Sequence, residues 1–142
     1  MRKFLLISVK PEFANKIISK HKLIELRKNK PCAQVGDYVI IYSTIPVKAI
    51  VGFAKIENII ESSPEEMWDK HSKKLGIDKL RFDEYYAKSV RSIGLELSCV
   101  CKIRNNIPLE SIRSIYPKFT PPQSYKYVSL FSAYRVYKKY VN

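Results

Sequence analysis

The residues whose types and spacing could do chemistry together lie between Lys22 and Arg27, in the segment Lys-Leu-Ile-Glu-Leu-Arg. The alternation of Ile24 and Leu26 with Glu25 and Arg27 predicts a strand that has an apolar pair on one face and an ion pair on the other. Together with Lys22, this face offers two cations and a carboxylate, a set able to hold a polar, partly charged ligand. The alternative is a solvated strand face whose ion pair contributes about 0 to 1 kcal/mol.

A second group of candidate residues follows two prolines late in the chain, where Gln123, Ser124 and Tyr125 supply an amide, a hydroxyl and an aromatic ring. Stacking of a nucleobase on an aromatic ring is worth about 1 to 3 kcal/mol. An amide can also read the edge of a base. The alternative is that Tyr125 and the nearby Tyr127 only anchor the C-terminal segment to the core.

Several kinds of site are not indicated. The four glycines are scattered singly, so there is no glycine-rich phosphate loop. The two histidines and three cysteines lack zinc spacing, and we expect no metal and no cofactor. Cys99 and Cys101 are too close in sequence for a disulfide between them. We interpret the thiols as reduced and structural, as in an intracellular protein.

The distribution of charge indicates a class of partner. The chain carries a formal charge of +13, with ten Lys/Arg against three Asp/Glu in residues 1–48 and eight against one in residues 99–142. The middle, residues 49–98, holds eight against nine. If the two basic ends meet in space, they form the positive surface expected of a nucleic-acid binder. The alternative is a soluble, lysine-rich protein without such a partner.

The chain start and the hydropathy pattern bear on localisation. Met1-Arg2-Lys3 precedes an apolar run that is too short for a signal peptide and ends at Lys10 without a small-residue cleavage site. No apolar run approaches the roughly 18 residues of a membrane span. We therefore expect a soluble cytoplasmic protein with no membrane partner.

The elements that must position these residues predict an α+β domain. Hydrophobic patterns, capping residues and prolines place five strands at residues 4–9, 23–28, 38–42, 49–60 and 92–103. They place helices at residues 11–20, 64–74, 78–88 and 107–114. A barrel of about five strands with peripheral helices is the expected architecture. We expect one domain over residues 1–142, in which the amphipathic tail 129–142 is a helical extension.

These segments together resemble an ASCH domain of the PUA-like superfamily, as found in stand-alone prokaryotic proteins described as predicted transcriptional regulators. The resemblance extends to about residue 127. The segments that carry it are Ser8-Val9-Lys10-Pro11, residues 18–27, Gly36-Asp37, residues 42–52, Pro64-Glu65-Glu66-Met67-Trp68 and residues 119–125. It implies a PUA-like mixed β-barrel whose cleft lies beside the first helix and the Lys22–Arg27 strand.

The resemblance also implies an enzymatic alternative. Some small ASCH proteins are amidohydrolases on acylated cytidines that use a lysine and a threonine on this strand with a downstream glutamate. Here Lys22 matches the lysine, but Glu25 occupies the threonine position. The downstream acid falls near Lys73 to Leu75, where no carboxylate stands. A carboxylate in place of the hydroxyl removes the nucleophile of that acyl-transfer site.

The hypothesis we place first is a non-catalytic module with a regulatory role that binds nucleic acid, RNA in preference to DNA, or a modified nucleobase. Glu25 and Arg27 would line the cleft, Lys22 and Lys48 would meet phosphate, and Gln123 with Tyr125 would close one wall. The complete candidate set is Lys22, Glu25, Arg27, Ser43, Lys48, Gln123, Ser124 and Tyr125.

Two alternatives stay open at this point. The first is a hydrolase acting on acylated nucleosides or on RNA, in which Glu25 is the general base and Lys22 an electrostatic stabiliser. The second is a regulatory domain whose tyrosine-rich tail binds a protein partner.

Overall fold

A computed structural model of the chain describes residues 3–129 together with residues 132, 135, 136 and 138. These residues form a mixed α+β fold of six strands and four α-helices. In chain order the elements are β1 (Lys3–Val9), α1 (Pro11–Ile18), β2 (Ile24–Arg27), β3 (Tyr38–Ser43), β4 (Ala49–Ser62), α2 (Pro64–His71), α3 (Lys79–Tyr85), β5 (Ser92–Pro108), α4 (Leu109–Ile115) and β6 (Tyr125–Ser129).

The helix starts follow from local chemistry. Pro11 opens α1, where its missing N–H is not needed and its fixed φ suits the first turn. The Ser63 hydroxyl accepts a hydrogen bond from Glu66 N at 3.1 Å, and the Asp78 carboxylate accepts one from Arg81 N at 2.9 Å. Both caps were predicted from the sequence, and both are confirmed. Each satisfies a backbone donor that the first helical turn leaves unpaired.

All six strands belong to one sheet in the order β2-β5-β4-β3-β1-β6. β1 and β3 run parallel and the other described pairs run antiparallel. The expected α+β class is confirmed, but the expected barrel of about five strands is not closed, since the six-stranded sheet stays open. β2 has four residues and β6 has five, and each pairs with only one neighbour in the described sheet. No ladder joins these two edge strands, so the described sheet is not closed on itself.

Alternation along the strands divides the core between the two faces of the sheet. Leu5 and Ile7 face the first cluster, which α1 covers through Ala14 and Ile17. Leu6 faces the second cluster on the opposite side. Burying each large apolar side chain contributes about 1.5 to 3 kcal/mol, so this pattern fixes the register of the sheet. A third cluster, formed by Ile24, Leu26, Met67, Leu75, Phe82 and Tyr86, lies between β2 and the α2–α3 region.

A glycine inside the Ile- and Val-rich strand, Gly52, predicts either a bulge or a close approach of another backbone, and the structure shows both. The β4–β5 register shifts between Ile50 and Gly52. A Cβ added at Gly52 would lie 2.5 Å from Ile18 Cδ1 and 2.7 Å from the Cys101 carbonyl oxygen. Glycine therefore lets α1 and β5 pack closely against β4.

The C-terminal third departs most from expectation. β5 continues to Pro108, and Tyr125–Ser129 pairs antiparallel with β1 where the sequence predicted an irregular segment and the start of a tail. Val136 is buried in the second cluster. Most of the helical extension predicted for residues 129–142 lies outside the described residues.

Candidate functional site

Lys22 is directed into the protein by the end of α1. Lys20 adopts a left-handed φ of 65°, and the Lys16 carbonyl accepts hydrogen bonds from the backbone N–H groups of His21 and Lys22 at 2.9 and 3.0 Å. The Lys22 side chain is only 2% exposed, and its ammonium donates a hydrogen bond to the Leu75 carbonyl. It is therefore a buried cation held by backbone geometry on both sides.

Glu25 lies beside this cation in the interior. Its Oε1 is 4.0 Å from Lys22 Nζ and accepts a hydrogen bond from Leu26 N at 3.0 Å. The carboxylate is buried, and its Oε2 accepts a hydrogen bond from Arg27 Nη2 at 3.3 Å. Burial lowers the pKa of the Lys22 ammonium, and the Glu25 charge opposes that effect in part. Both oxygens of the Glu25 carboxylate are engaged inside the protein.

Arg27 connects the buried Lys22–Glu25 pair to Ser8 of β1 and to Ser124, which directly precedes β6. Nη1 donates to Ser124 Oγ at 3.0 Å and to the Ser124 carbonyl at 3.3 Å, and Nη2 donates to the Ser8 carbonyl at 3.0 Å as well as to Glu25. The Arg27 carbonyl accepts a hydrogen bond from the Tyr86 hydroxyl at 2.9 Å. Ser8 and Ser124 lie far from β2 in the sheet order, so these bonds show that the open sheet curls strongly.

The loop that contains Pro121 and Pro122, which we call the proline loop, is held beside Ser8. The Ser8 hydroxyl donates to the Pro122 carbonyl at 2.6 Å, and Ser8 N donates to the Ser124 carbonyl at 3.0 Å. Gln123 and Ser124 are exposed, and the Gln123 amide makes no hydrogen bond within the described part of the chain. Tyr125 is half-buried and packs against the first cluster. The loop thus presents the Gln123 amide and the Ser124 hydroxyl to solvent, whereas the Tyr125 ring packs against the core.

The turn between β3 and β4 carries the remaining predicted residues. Lys48 is exposed, has a left-handed φ of 51°, and its carbonyl accepts a hydrogen bond from Leu109 N at 2.9 Å. Ser43 is 1% exposed, and its hydroxyl has no hydrogen-bond partner among the described residues. Ile45 is 73% exposed beside Lys48, so this turn offers a cation and an apolar side chain to solvent.

Tyr42 and Arg113 lie in the same region but are absent from the predicted set. Tyr42 pairs with Ser8 in the parallel β1–β3 ladder, so it sits at the sheet end that carries Ser124. Burial raises the pKa of the Tyr42 hydroxyl, and the Arg113 cation opposes that effect. Sequence reasoning treated Tyr42 only as a β-prone residue. The available signal was its position as the last aromatic residue of a strand that runs into polar Ser43 and Thr44.

The structure brings together four of the eight predicted residues. Lys22, Glu25, Arg27 and Ser124 form a row from the core to the surface, which we call the Lys22–Ser124 row. Ser43 and Lys48 lie at the neighbouring end of β3, joined to β1 by the bond from Thr44 N to the Val9 carbonyl. Gln123 and Tyr125 flank Ser124. Contact of any of these residues with a ligand stays a prediction.

Two cavities lie elsewhere in the described structure. One of about 410 Å³ is lined mainly by the second cluster, and one of about 420 Å³ lies beside Trp68 between α2 and α3. The three cysteines are free and exposed. Among the described residues, no three His, Cys, Asp or Glu side chains are grouped closely enough to hold a metal ion. None of the described helices is long and apolar enough to span a membrane.

The basic ends of the chain do meet. β1, from the N-terminal segment that carries ten Lys/Arg against three acids, pairs with β6, from the C-terminal segment that carries eight against one. Lys10 is exposed directly after β1, close to the end of the ladder where Ser124 lies. The exposed Lys10 therefore places positive charge near the exposed end of the Lys22–Ser124 row.

Comparison with known proteins places this arrangement in context. Residues 7–118 match the ASCH domain. The chain is 31% identical over 123 residues to a protein of Zymomonas mobilis named "ASCH domain-containing ribonuclease", a match that covers 87% of this chain and 82% of that protein.

Solved structures agree with this match. The crystal structure of ASCH from Zymomonas mobilis superposes with a TM-score of 0.92 at 27% identity and covers 100% of this chain and 98% of that chain. A serine-to-alanine variant of the Zymomonas protein gives 0.91 at 27% identity, with coverages of 97% and 96%. The N-terminal domain of Staphylothermus marinus McrB, at 12% identity and 0.63, covers 96% of this chain and 93% of its own and is similar in fold alone.

Proposed function

Since this chain belongs to the ASCH domain family, we propose that it binds single-stranded RNA and cleaves it. The observation that carries the proposal is the match with the Zymomonas protein named a ribonuclease, which spans most of both chains. The similarity of the Zymomonas ASCH crystal structure over the whole chain supports it further. The structural match covers the whole chain and therefore includes the residues around Ser124 as well as the core.

The charge around Ser124 supports a polyanionic ligand. Lys10 and Lys48 are exposed at the ends of β1 and β3, and Arg113 is exposed close enough to influence Tyr42. Cations that neutralise phosphates release condensed counterions, which favours binding at low salt. We therefore place the RNA backbone across this end of the sheet, with Lys48 and Ser124 as contact residues.

The chemistry available there suits stabilisation of a phosphodiester that undergoes displacement. Exposed cations and the Ser124 hydroxyl can interact with the negative charge that develops on the phosphate oxygens. Tyr42 packs in the second cluster and is only 2% exposed, so it is given no direct role in proton transfer. Glu25, which the sequence suggested as a general base, is buried and already accepts internal hydrogen bonds.

The test is a cleavage and binding assay with a fluorescently labelled single-stranded RNA and the DNA of the same sequence. We expect shortened RNA products and a log affinity that falls with log salt by about 0.7 for each phosphate contacted. Lys48→Ala and Ser124→Ala should slow cleavage, whereas Lys102→Ala, an exposed change in β5, should not. A folded protein that neither binds nor cuts RNA at low salt would overturn the proposal.

A second candidate function is RNA or nucleobase binding without cleavage. The exposed Gln123 amide favours it, because such an amide is free to hydrogen-bond a base edge. The same assay separates the two functions, since a non-catalytic module binds the RNA and leaves its length unchanged. Acylated cytidine serves as a further substrate in that assay, because amidohydrolase activity remains the alternative that Lys22 and Glu25 suggested. A regulatory role and a protein partner for the tail stay predictions.

A further inference from the structure

We propose that Glu25 and Arg27 are positioning residues, which act through the Ser124 hydroxyl and aim its proton at a phosphate oxygen of the RNA. The inference rests on the proposed function and deepens it. It assigns the Lys22–Ser124 row a different role from the one expected from the sequence, in which Lys22, Glu25 and Arg27 touch the ligand themselves.

Burial decides which member of the row can meet a ligand. Lys22 is 2% exposed and Glu25 is 6% exposed, and the Arg27 side chain is 11% exposed. Only Ser124 is exposed at the end of the row. A phosphate in solution can therefore reach the Ser124 hydroxyl without rearrangement of the protein, whereas the Glu25 carboxylate is covered and repels anions.

The direction of the Arg27–Ser124 hydrogen bond fixes the role of the hydroxyl. A guanidinium donates and never accepts, so Ser124 Oγ is the acceptor in its 3.0 Å bond with Arg27 Nη1. The single proton of the Ser124 hydroxyl is then directed elsewhere, toward the exposed side. A hydroxyl oxygen that accepts from a cation is also a stronger donor through its own proton, because the charge polarises the O–H bond.

The same bond argues against Ser124 as a nucleophile. A serine nucleophile needs a base that takes its proton. Among the described residues, no carboxylate or imidazole contacts Ser124 Oγ, and Arg27 cannot accept a proton. The geometry fits a hydrogen-bond donor that binds a non-bridging phosphate oxygen, in which no covalent bond to Ser124 forms.

Glu25 restrains the Arg27 fork. The carboxylate is fixed at Oε1 by Leu26 N and Lys22, and its Oε2 accepts from Arg27 Nη2. The other contacts of the guanidinium are to the Ser8 carbonyl and to Ser124. Loss of the carboxylate charge would leave the guanidinium buried with uncompensated charge and free to rotate, and the Ser124 hydroxyl would lose its fixed direction.

The loop itself does not depend on Arg27 alone. Ser8 holds the loop through two further bonds, from its hydroxyl to Pro122 and from its N–H to the Ser124 carbonyl. A change at Arg27 that preserves charge should therefore leave the loop in place and disturb mainly the orientation of the hydroxyl. This separates a positioning role from a purely structural one.

The experiment is a double-mutant cycle on RNA cleavage with Arg27→Lys, Ser124→Ala and the combined variant. We expect Ser124→Ala to lower kcat by about 100-fold, as the loss of one preorganised donor does elsewhere. Arg27→Lys should produce a loss of similar size because lysine lacks the planar fork. The combined variant should match Ser124→Ala within about twofold, since Arg27 acts through that hydroxyl. The RNA Kd should change little.

Controls separate the possible failures. Arg104→Lys, an exposed change in β5, should leave kcat unchanged, and Glu25→Gln provides a second route if Arg27→Lys does not fold. Additive losses in the combined variant, or a wild-type rate in Arg27→Lys, would overturn the inference. If the wild-type chain binds RNA without cutting it, the cleavage proposal fails. The double-mutant cycle is then measured on the RNA Kd of the same variants. Additive changes in binding free energy would again refute the positioning role. If it neither binds nor cuts RNA, both proposals fail.

Discussion

Gly76 lies directly against Lys22, so that a Cβ added at residue 76 would be 2.6 Å from the Cβ of Lys22. Gly76 also has a φ of +62°, a left-handed conformation that glycine adopts without cost. Its carbonyl accepts a hydrogen bond from Lys16 Nζ at 3.0 Å, and the preceding carbonyl of Leu75 accepts one from Lys22. The turn before α3 thus forms the wall that encloses the buried lysine.

Gly76→Ala should lower the free energy of unfolding by about 2 kcal/mol or more, measured by urea denaturation. About half of that loss comes from the left-handed φ and the rest from the overlap with Lys22. Gly36→Ala is the matched control, because Gly36 has a φ of +95° and nothing within 4 Å of an added Cβ. Gly36→Ala should lower the free energy of unfolding only by the cost of the left-handed backbone conformation. Equal losses in the two variants would show that the contact with Lys22 is unimportant.

Lys22→Met should change how stability depends on pH. Burial lowers the pKa of Lys22 in the folded protein, whereas the unfolded chain keeps a value near 10.5. Between these two values the unfolded state binds more protons, so the stability of the wild type rises with pH across that window. The variant lacks this rise. Parallel stability curves for the two proteins as the pH rises toward 10.5 would contradict burial of a lowered-pKa lysine.

Lys48→Gly should make the protein more stable and less active. A non-glycine residue in the left-handed region costs about 1 kcal/mol, and such strain is retained where a side chain has a function. We expect a gain of about 0.5 to 1 kcal/mol in unfolding free energy and a loss of RNA cleavage. Lys20→Gly is matched in charge and in its φ of 65°, and it should gain stability without losing activity. Equal loss of cleavage in both variants would point to bulk charge instead.

Much of the framework around this site could be predicted from the sequence because its signals are local. The caps at Ser63 and Asp78, the proline that opens α1 and the period-2 alternation of β2 each depend on a few neighbouring residues. The close approach at Gly52 was likewise visible as a glycine within an Ile- and Val-rich strand. Of these signals, the proline that opens α1 and the alternation of β2 locate the two elements that position Lys22, Glu25 and Arg27.

The rest depends on long-range contacts that no local pattern encodes. β6 is held by its pairing with β1, and although its tyrosines and valine favour a strand, the two prolines just before them indicated an irregular segment. The pattern of elements and the resemblance both predicted closure into a barrel, but no ladder joins the edge strands β2 and β6 in the described sheet. The burial of Glu25 depends on the three-dimensional positions of Lys22 and Arg27. The alternation of apolar and charged residues in β2 therefore could not show whether the Glu25–Arg27 ion pair lies in the interior or in solvent.

Ser43→Ala should raise stability, because it removes a buried hydroxyl that has no hydrogen-bond partner among the described residues. Leaving such a group unsatisfied costs about 1 to 3 kcal/mol, so we expect a gain of about 1 kcal/mol in urea denaturation. Ser92→Ala is the matched control. Ser92 is fully buried, but its hydroxyl donates to the Ser62 carbonyl at 3.0 Å, and its removal should cost about 1 kcal/mol.

RNA affinity in Ser43→Ala decides whether Ser43 belongs to the site. A hydroxyl that is 1% exposed does not reach a ligand, so the affinity should stay within about twofold of wild type. A larger fall in RNA affinity, with the fold intact, would return Ser43 to the set of contact residues.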